Sequence, residues 1–218
     1  MSPTTTTTAL LHRADGSSTW SHGPTKLLCS VNGPMEVRLR DEQVDKATIE
    51  VIVRPAVGAP GTHEKSLERK LLSAISPIIR AQLHPRTHIQ ITIQIISAPP
   101  SPDGSVHVLA AGINAACMAL MDAGIPMSST ISAVAIGVDE QTGAISRIED
   151  VNSARSTHVI CYENVHKQLV LCESLGDFSD EEFFGCLEAA REGCEEVYER
   201  MREGIREKVE RNEVWKQA

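Results

Sequence analysis

The chain has 218 residues, 41% hydrophobic and only 3% aromatic, with a formal net charge of −8 at neutral pH. That length supports one substantial core, built from Ile, Val, Leu and Ala rather than rings, and the acidic balance argues against a protein that grips nucleic acid unaided, since that affinity comes from cations neutralising phosphates. The N-terminal MSPTTTTTALLHR lacks the apolar segment of a secretory leader, and no uninterrupted apolar run reaches the roughly 18 residues of a membrane span, so the expectation is a soluble intracellular protein without a membrane partner.

Residues 1–9, with five consecutive threonines, have little apolar surface and are expected to trail as a disordered tail. LLHRADGSSTWSHGPTKLLCSVNGPMEVR follows as an antiparallel meander of short strands broken at Asp15-Gly16, Gly23-Pro24 and Gly33-Pro34. After a charged connection, ATIEVIVRP alternates with period two, Ile49, Val51 and Val53 on one face, and stops at Pro55. A Pro/Gly loop leads to the helix EKSLERKLLSAISPIIRAQL, whose Leu67, Leu71, Ala74, Ile75, Ile78 and Ile79 share a face. The apolar spacing continues past Pro77, so that proline is expected to kink the helix or sit near a bend rather than end it. The turn His84-Pro85-Arg86-Thr87 opens HIQITIQIIS, the clearest strand in the chain.

The loop Ser101–Ser105 then runs into an Ala-rich apolar helix entered through His107, Val108, Leu109, Ala110 and Ala111 and closed by Gly124 and Pro126. Asp103-Gly104 reads as a turn. STISAVAIGVD is a further strand, Gln141-Thr142-Gly143 a turn, residues 144–156 are of mixed polarity, and THVICYE and KQLVLCES are two strands joined through Asn164. From Ser179, an N-cap with Glu182 three residues on, a long helix sets Phe183, Leu187, Ala190, Cys194, Val197, Met201 and Ile205 on one stripe, with its acids outward. Glu207–Ala218 loses the period and is expected to project. Strands, helix, strand, helix, strands, helix is an α+β order: mixed sheets packed with helices, ending in a long C-terminal helix.

Chemistry-bearing patterns are sparse. The six cysteines stand singly among apolar residues and read as buried free thiols, the eight histidines show no HxH or HExxH spacing, and no GxSxG elbow is present. Lys65 and Arg69 lie one helical turn apart near a helix start, and Arg86 lies just beyond that helix. Solvated surface is the plain reading of these cations, and contact with an RNA backbone the sharper one, with His63 beside them. The junction before the Ala-rich helix has the position of an anion site, because free N–H groups and the helix dipole point outward there. It has no arginine or lysine, and no hydroxyl between Ser105 and the helix end. Glu149 and Asp150 are adjacent, hence divergent, and make a poor metal pair without a third carboxylate.

SSTWSHGPTKLLCSVNGPMEVR, KATIEVIVRP, SLERKLLSAI, LHPRTHIQITIQI and GINAACMALMDAGIPM resemble, in this order, the RNase PH family, from about Arg13 to about Arg202, and look most like a core subunit of the eukaryotic RNA exosome. The resemblance implies an RNase PH fold, related to the second domain of ribosomal protein S5: one domain over residues 10–206 with a C-terminal extension over 207–218. Active members degrade RNA from its 3′ end with inorganic phosphate, using an anion pocket and carboxylates that hold a divalent metal. Their Thr-Arg-Thr falls here on Val108, Leu109 and Ala110, and their metal carboxylates on Ser146, Ile148 and Asn152.

The resemblance therefore implies an inactive subunit with no cofactor and no metal. Its partners would be other RNase PH-like subunits in a hetero-oligomeric ring, RNA-binding cap subunits and single-stranded RNA in the shared channel, in the nucleus (nucleolus included) and cytoplasm. Two alternatives stand beside it: an active phosphorolytic nuclease with His107 replacing the lost arginine, and a free homodimer that binds nucleic acid.

Overall fold

The clearest period-two segment of the sequence forms the middle of the larger of two sheets. The computed structural model describes residues 4–99, 103–140, 143–147 and 154–212. The first sheet holds β1 (Thr5–Thr8), β2 (Gly16–His22), β3 (Thr25–Glu36), β4 (Thr48–Arg54) and β5 (Thr87–Ser97) in the order β1-β2-β3-β5-β4. All pairs are antiparallel except β4 with β5, which run parallel and are joined by the crossover helix α1 (Thr62–Ile75). Ile89, Ile91, Ile93 and Ile95 of β5 turn into the core as the alternation requires. The second sheet is antiparallel, in the order β7-β6-β8-β9: β6 (Ile131–Asp139), β7 (Ile145–Arg147), β8 (Ala154–Glu163) and β9 (Leu169–Gly176).

Between the sheets lies α2 (Asp103–Ala123), against β2 and β3 on one side and β6 and β8 on the other. Its small side chains let the backbones come close, and Ala115–Leu120 are wholly buried. A Cβ on Gly16 of β2 would lie 2.4 Å from both the Ala119 carbonyl oxygen and the Ala123 nitrogen, so glycine is needed where strand meets helix. The stretch Gly104–Asp122 is long and apolar enough, by composition, to cross a membrane, against the sequence expectation; 83% of it is buried in the protein core. The long helix α3 (Asp180–Asn212) packs its Ala190, Cys194, Val197 and Met201 stripe over the second sheet and β1. Its start is the expected capping box: Ser179 N–H donates to Glu182 Oε2 at 2.8 Å, and Glu182 N–H to Ser179 Oγ at 3.3 Å.

Several expectations need correction. The threonine run forms a strand: Thr5–Thr8 pair with Ser18–Ser21, with Thr8 buried, because β-branched residues suit a pleated edge and α3 lies against it. Gly33-Pro34 does not end a strand. It carries a cis peptide inside β3, where the register with β5 shifts and the strand continues to Glu36. Pro77 ends α1 instead of kinking it: the α-helix stops at Ile75 and Ser76–Ile78 form a 3-10 turn, since proline has no N–H for the next helical bond. The apolar spacing continues because Ile79 bridges Met127, Arg80 N–H donates to the Pro126 carbonyl (3.0 Å) and Ser128 N–H to the Ile78 carbonyl (2.7 Å).

Asp103-Gly104 is likewise the first turn of α2, not a turn before it. Gly104 passes so near the Pro99 carbonyl that a Cβ would lie 2.3 Å from its oxygen. The short β7 had no counterpart in the sequence reading, and residues 141–142 of the expected turn lie outside the described residues. The six cysteines are free. Burial pushes the Cys117 and Cys194 thiols up to about 11, so both stay neutral and unreactive at physiological pH.

Candidate functional site

The first turns of α1, the first turns of α2 and the inner face of β8 and β9 enclose a cleft of about 110 Å3. Alpha1 supplies His63, Ser66, Leu67 and Lys70, α2 supplies Ser105, Val106 and Leu109, and the sheet supplies Val159, Glu173 and Leu175. Lys70 and Glu173, 103 positions apart in the chain, close across it as an ion pair. Each is about one-third exposed, so the lysine charge is already neutralised within the chain. What is left of the cleft is apolar wall with two serines and a histidine at its rim.

The three positions matched to the phosphate pocket lie inside the helix, not at its entrance. Alpha2 begins at Asp103, so Val108, Leu109 and Ala110 sit more than one turn in, at 3%, 2% and 6% exposure. At that depth their N–H groups belong to the helical ladder and cannot hold an anion. Only Leu109 borders the cleft. Ala110 lines a separate cavity of about 40 Å3 on the other side of α2, together with His22, His107, Asn114 and Arg147. His107 therefore faces away from the position of the arginine it would have to replace.

Of the positions matched to metal carboxylates, Ile148 and Asn152 lie outside the described residues, as do Glu149 and Asp150. Ser146 pairs with Gly137, which continues across the sheet through Thr157 to Leu175, a residue of the cleft. Ser146 thus lies on the cleft face, while neighbouring Arg147 turns to the other face and pairs with Glu196 of α3. Ser146 offers a hydroxyl, not a carboxylate, and Glu173 is held by Lys70. Among the described residues no group of three or more His, Cys, Asp and Glu side chains is placed to hold a metal. The described residues do not fit the divalent ion of the active members.

The cationic candidates fall into two places. His63 borders the cleft, and Lys65 and Arg69 are on the same helix, α1. Lys65 Nζ lies 2.7 Å from Glu68, whose other oxygen accepts from Val53 N–H at 3.1 Å. Arg69 is exposed and has no hydrogen-bond or ion-pair partner among the described residues. Arg86 lies at the opposite end of the layer, beside the start of β4, with a positive φ of 59° and an ion pair to Glu42 at 3.3 Å. The length of β4, roughly 20 Å at the usual rise per residue, separates the two groups.

Sequence reasoning missed two polar arrangements. Asn114, 2% exposed in the middle of α2, clasps the free edge of β6: its Nδ2 donates to the Ala133 carbonyl and its Oδ1 accepts from Ala133 N–H, both at 2.8 Å. His158, fully buried, bonds Ser156 Oγ at 3.1 Å and Ser174 Oγ at 2.8 Å beside the Phe178 and Phe183 rings. Burial lowers its pKa, opposed by the nearby Glu182 carboxylate. Neither had a sequence signal, because both pairings join segments whose spacing fits no motif.

Comparison with known proteins shows the family and the fold. The family model for RNase PH, the 3′ exoribonuclease family, domain 1, matches residues 1–126. The chain is 35% identical over 209 residues to the exosome complex component RRP46 of Saccharomyces cerevisiae, covering 92% of this chain and 94% of that one. It is 37% identical over 204 residues to rrp46 of Schizosaccharomyces pombe, covering 89% and 85%. The crystal structure of rice (Oryza sativa) Rrp46 superposes with a TM-score of 0.82 at 30% identity and 93% coverage of both chains.

Proposed function

The chain belongs to the RNase PH family, and from that premise we propose that it is a non-catalytic subunit of the RNA exosome core ring, supporting 3′ to 5′ RNA processing and decay by assembly and RNA threading. The similarity to exosome components named RRP46 in two yeasts supports the ring role. The observation that carries the non-catalytic reading is the cleft itself: Leu109 and Val106 line it where an anion would be held, and Lys70 is committed to Glu173. Phosphorolysis needs charge at the attacking phosphate and at the leaving oxygen, and each lost contact removes a few kcal/mol of transition-state stabilisation. With the arginine and both threonines of the active pattern absent together, Ser66, Ser105 and His63 are the polar groups left beside the ion pair, and they do not replace that charge.

On this reading residues 10–206 act as one RNase PH-like domain, with 207–218 as its extension. It assembles with other RNase PH-like subunits and with RNA-binding cap subunits, in the nucleus, nucleolus and cytoplasm. Lys65, Arg69 and His63 meet single-stranded RNA at one end of the α1 layer and Arg86 at the other. Pull-down of the tagged chain from its host tests assembly: other RNase PH-like proteins co-purify, and their absence overturns the ring role. Purified chain with single-stranded RNA, magnesium and phosphate tests chemistry. No nucleoside diphosphate is released; phosphate-dependent release overturns the non-catalytic reading, and its loss in His107→Ala locates the chemistry at the second cavity.

A further inference from the structure

The far end of α2 borders a second concave surface, about 12 residues and thus roughly 18 Å of helix from the cleft. Met121 of α2, Thr130 before β6, and Tyr198, Met201 and Ile205 of α3 line a groove of about 300 Å3, with Arg202 and Arg206 on its rim. Its volume is at the lower end of the range for ligand sites, room for one large side chain and its flanks. Arg202 and Arg206 are four residues apart on α3 and so project side by side. The Arg202 guanidinium lies 5.8 Å from the Tyr198 ring centroid, which orients it, and its ion pair to Glu199 is more than half exposed at both ends, a weak and exchangeable contact. Arg206 has no hydrogen-bond or ion-pair partner among the described residues.

The charges around this groove are arranged in adjacent stripes. Beside the two arginines, the neighbouring flank of α3 carries Glu192, Glu195, Glu196, Glu199 and Glu203. Glu195, Glu196, Glu199 and Glu203 are paired within the chain with Lys167, Arg147, Arg202 and Arg200, so the flank is largely self-neutralised and draws a basic partner weakly. A short acidic segment is drawn to the groove's own rim, where Arg206 and the exchangeable Arg202 stand side by side.

We infer that the groove docks a short acidic amphipathic segment of a partner protein: one bulky apolar side chain enters between Met121, Met201 and Ile205, and two carboxylates one helical turn apart pair with Arg202 and Arg206. Fluorescence anisotropy on the isolated chain tests this without ring assembly. The probes are a labelled 12-residue helical peptide with a central Trp flanked by Glu at i and i+4, the same peptide with Lys at those positions, and a 12-nucleotide oligouridylate. The Glu peptide binds saturably to the native chain and loses at least tenfold in affinity with Arg202→Glu/Arg206→Glu, which in turn gains the Lys peptide. Arg206→Ala, a single change on the rim, gives an intermediate loss in a second folded variant. Equal binding of the two peptides, no saturable binding of the Glu peptide up to millimolar concentration, displacement of that peptide by the oligouridylate, or its exclusion by self-association of the chain would each overturn the inference.

Discussion

Helix α2 meets two different environments along its length. Where it passes β6 and β2 it is closed by satisfied polar contacts: Asn114 on both backbone groups of Ala133, Ser18 Oγ donating to the Ala115 carbonyl at 2.6 Å, and Ser17 N–H donating to Asp122 Oδ2 at 2.8 Å. Lys208 of α3 adds an ion contact to the other Asp122 oxygen at 2.5 Å. Where α2 enters the fold, in the cleft, it offers Ser105, Val106 and Leu109, facing the ion pair of Lys70 on α1 with Glu173 on β9. Polar groups hold backbones together along one part of the helix, whereas in the cleft they stand beside an apolar wall of Leu67, Val106, Leu109, Val159 and Leu175. The non-catalytic reading proposed above accounts for this contrast: core polar groups cannot be dropped cheaply, whereas substrate-binding groups on a solvent-facing cleft can.

The strongest way to break this contrast is at Asn114. Asn114→Ala leaves the Ala133 N–H and carbonyl buried without partners, at about 1 to 3 kcal/mol each, and a fall of several kcal/mol in urea denaturation is the expected result. Asn114→Asp is at least as damaging, because a carboxylate oxygen then faces the Ala133 carbonyl. A loss below about 1 kcal/mol in both variants would remove the seam from the argument. Next in size is Gly16→Ala, where the added Cβ forces β2 off α2 at a cost of about 1 to 3 kcal/mol, read by the same denaturation.

His158 sharpens the contrast with a buried polar group on the outer side of the second sheet. Its pKa is lowered by burial, so the unfolded chain binds the proton more readily than the folded one. Its contribution to stability is therefore fully present above the ordinary histidine range and is lost as pH falls through that range to the lower folded value. Glu182 faces it, already paired with Arg155, and Ser156 and Ser174 occupy its ring nitrogens. Denaturation midpoints that fall from pH 7.5 to 5.5 in the native chain, with a flatter profile in His158→Gln, are the expected outcome; parallel profiles would show that His158 is not the titrating group.

How much of this could be read from the sequence follows from what periodicity encodes. The faces of β4, β5 and α3 were legible because each pattern repeats within its own segment, and the Ser179–Glu182 cap because its partners are three residues apart. The course of β3 through Gly33-Pro34 and the ordering of Thr5–Thr8 were not, since pairing with β5 and cover by α3 decide them. The missing hydroxyls and arginine could be read from Val108–Ala110, but their depth could not. It depends on α2 starting at Asp103, and a Gly104 packed on the Pro99 carbonyl looks like any turn glycine in a sequence. Lys70 with Glu173, like Asn114 with Ala133, is a tertiary pairing between residues that each look ordinary in their own segment.

The smallest expected effect is at that ion pair, and it decides whether the two environments differ in kind. Lys70 and Glu173 are about one-third exposed, so solvent screens them, and a double-mutant cycle of Lys70→Ala and Glu173→Gln should return a coupling energy of no more than about 1 kcal/mol. Such a value means the cleft is closed by a contact the fold does not depend on, as the proposed non-catalytic role expects. A coupling comparable to the several kcal/mol expected at Asn114 would make the cleft a second structural seam. Its lost polarity would then reflect packing across α1, α2 and β9 rather than release from catalysis, and the contrast between the two parts of α2 would disappear.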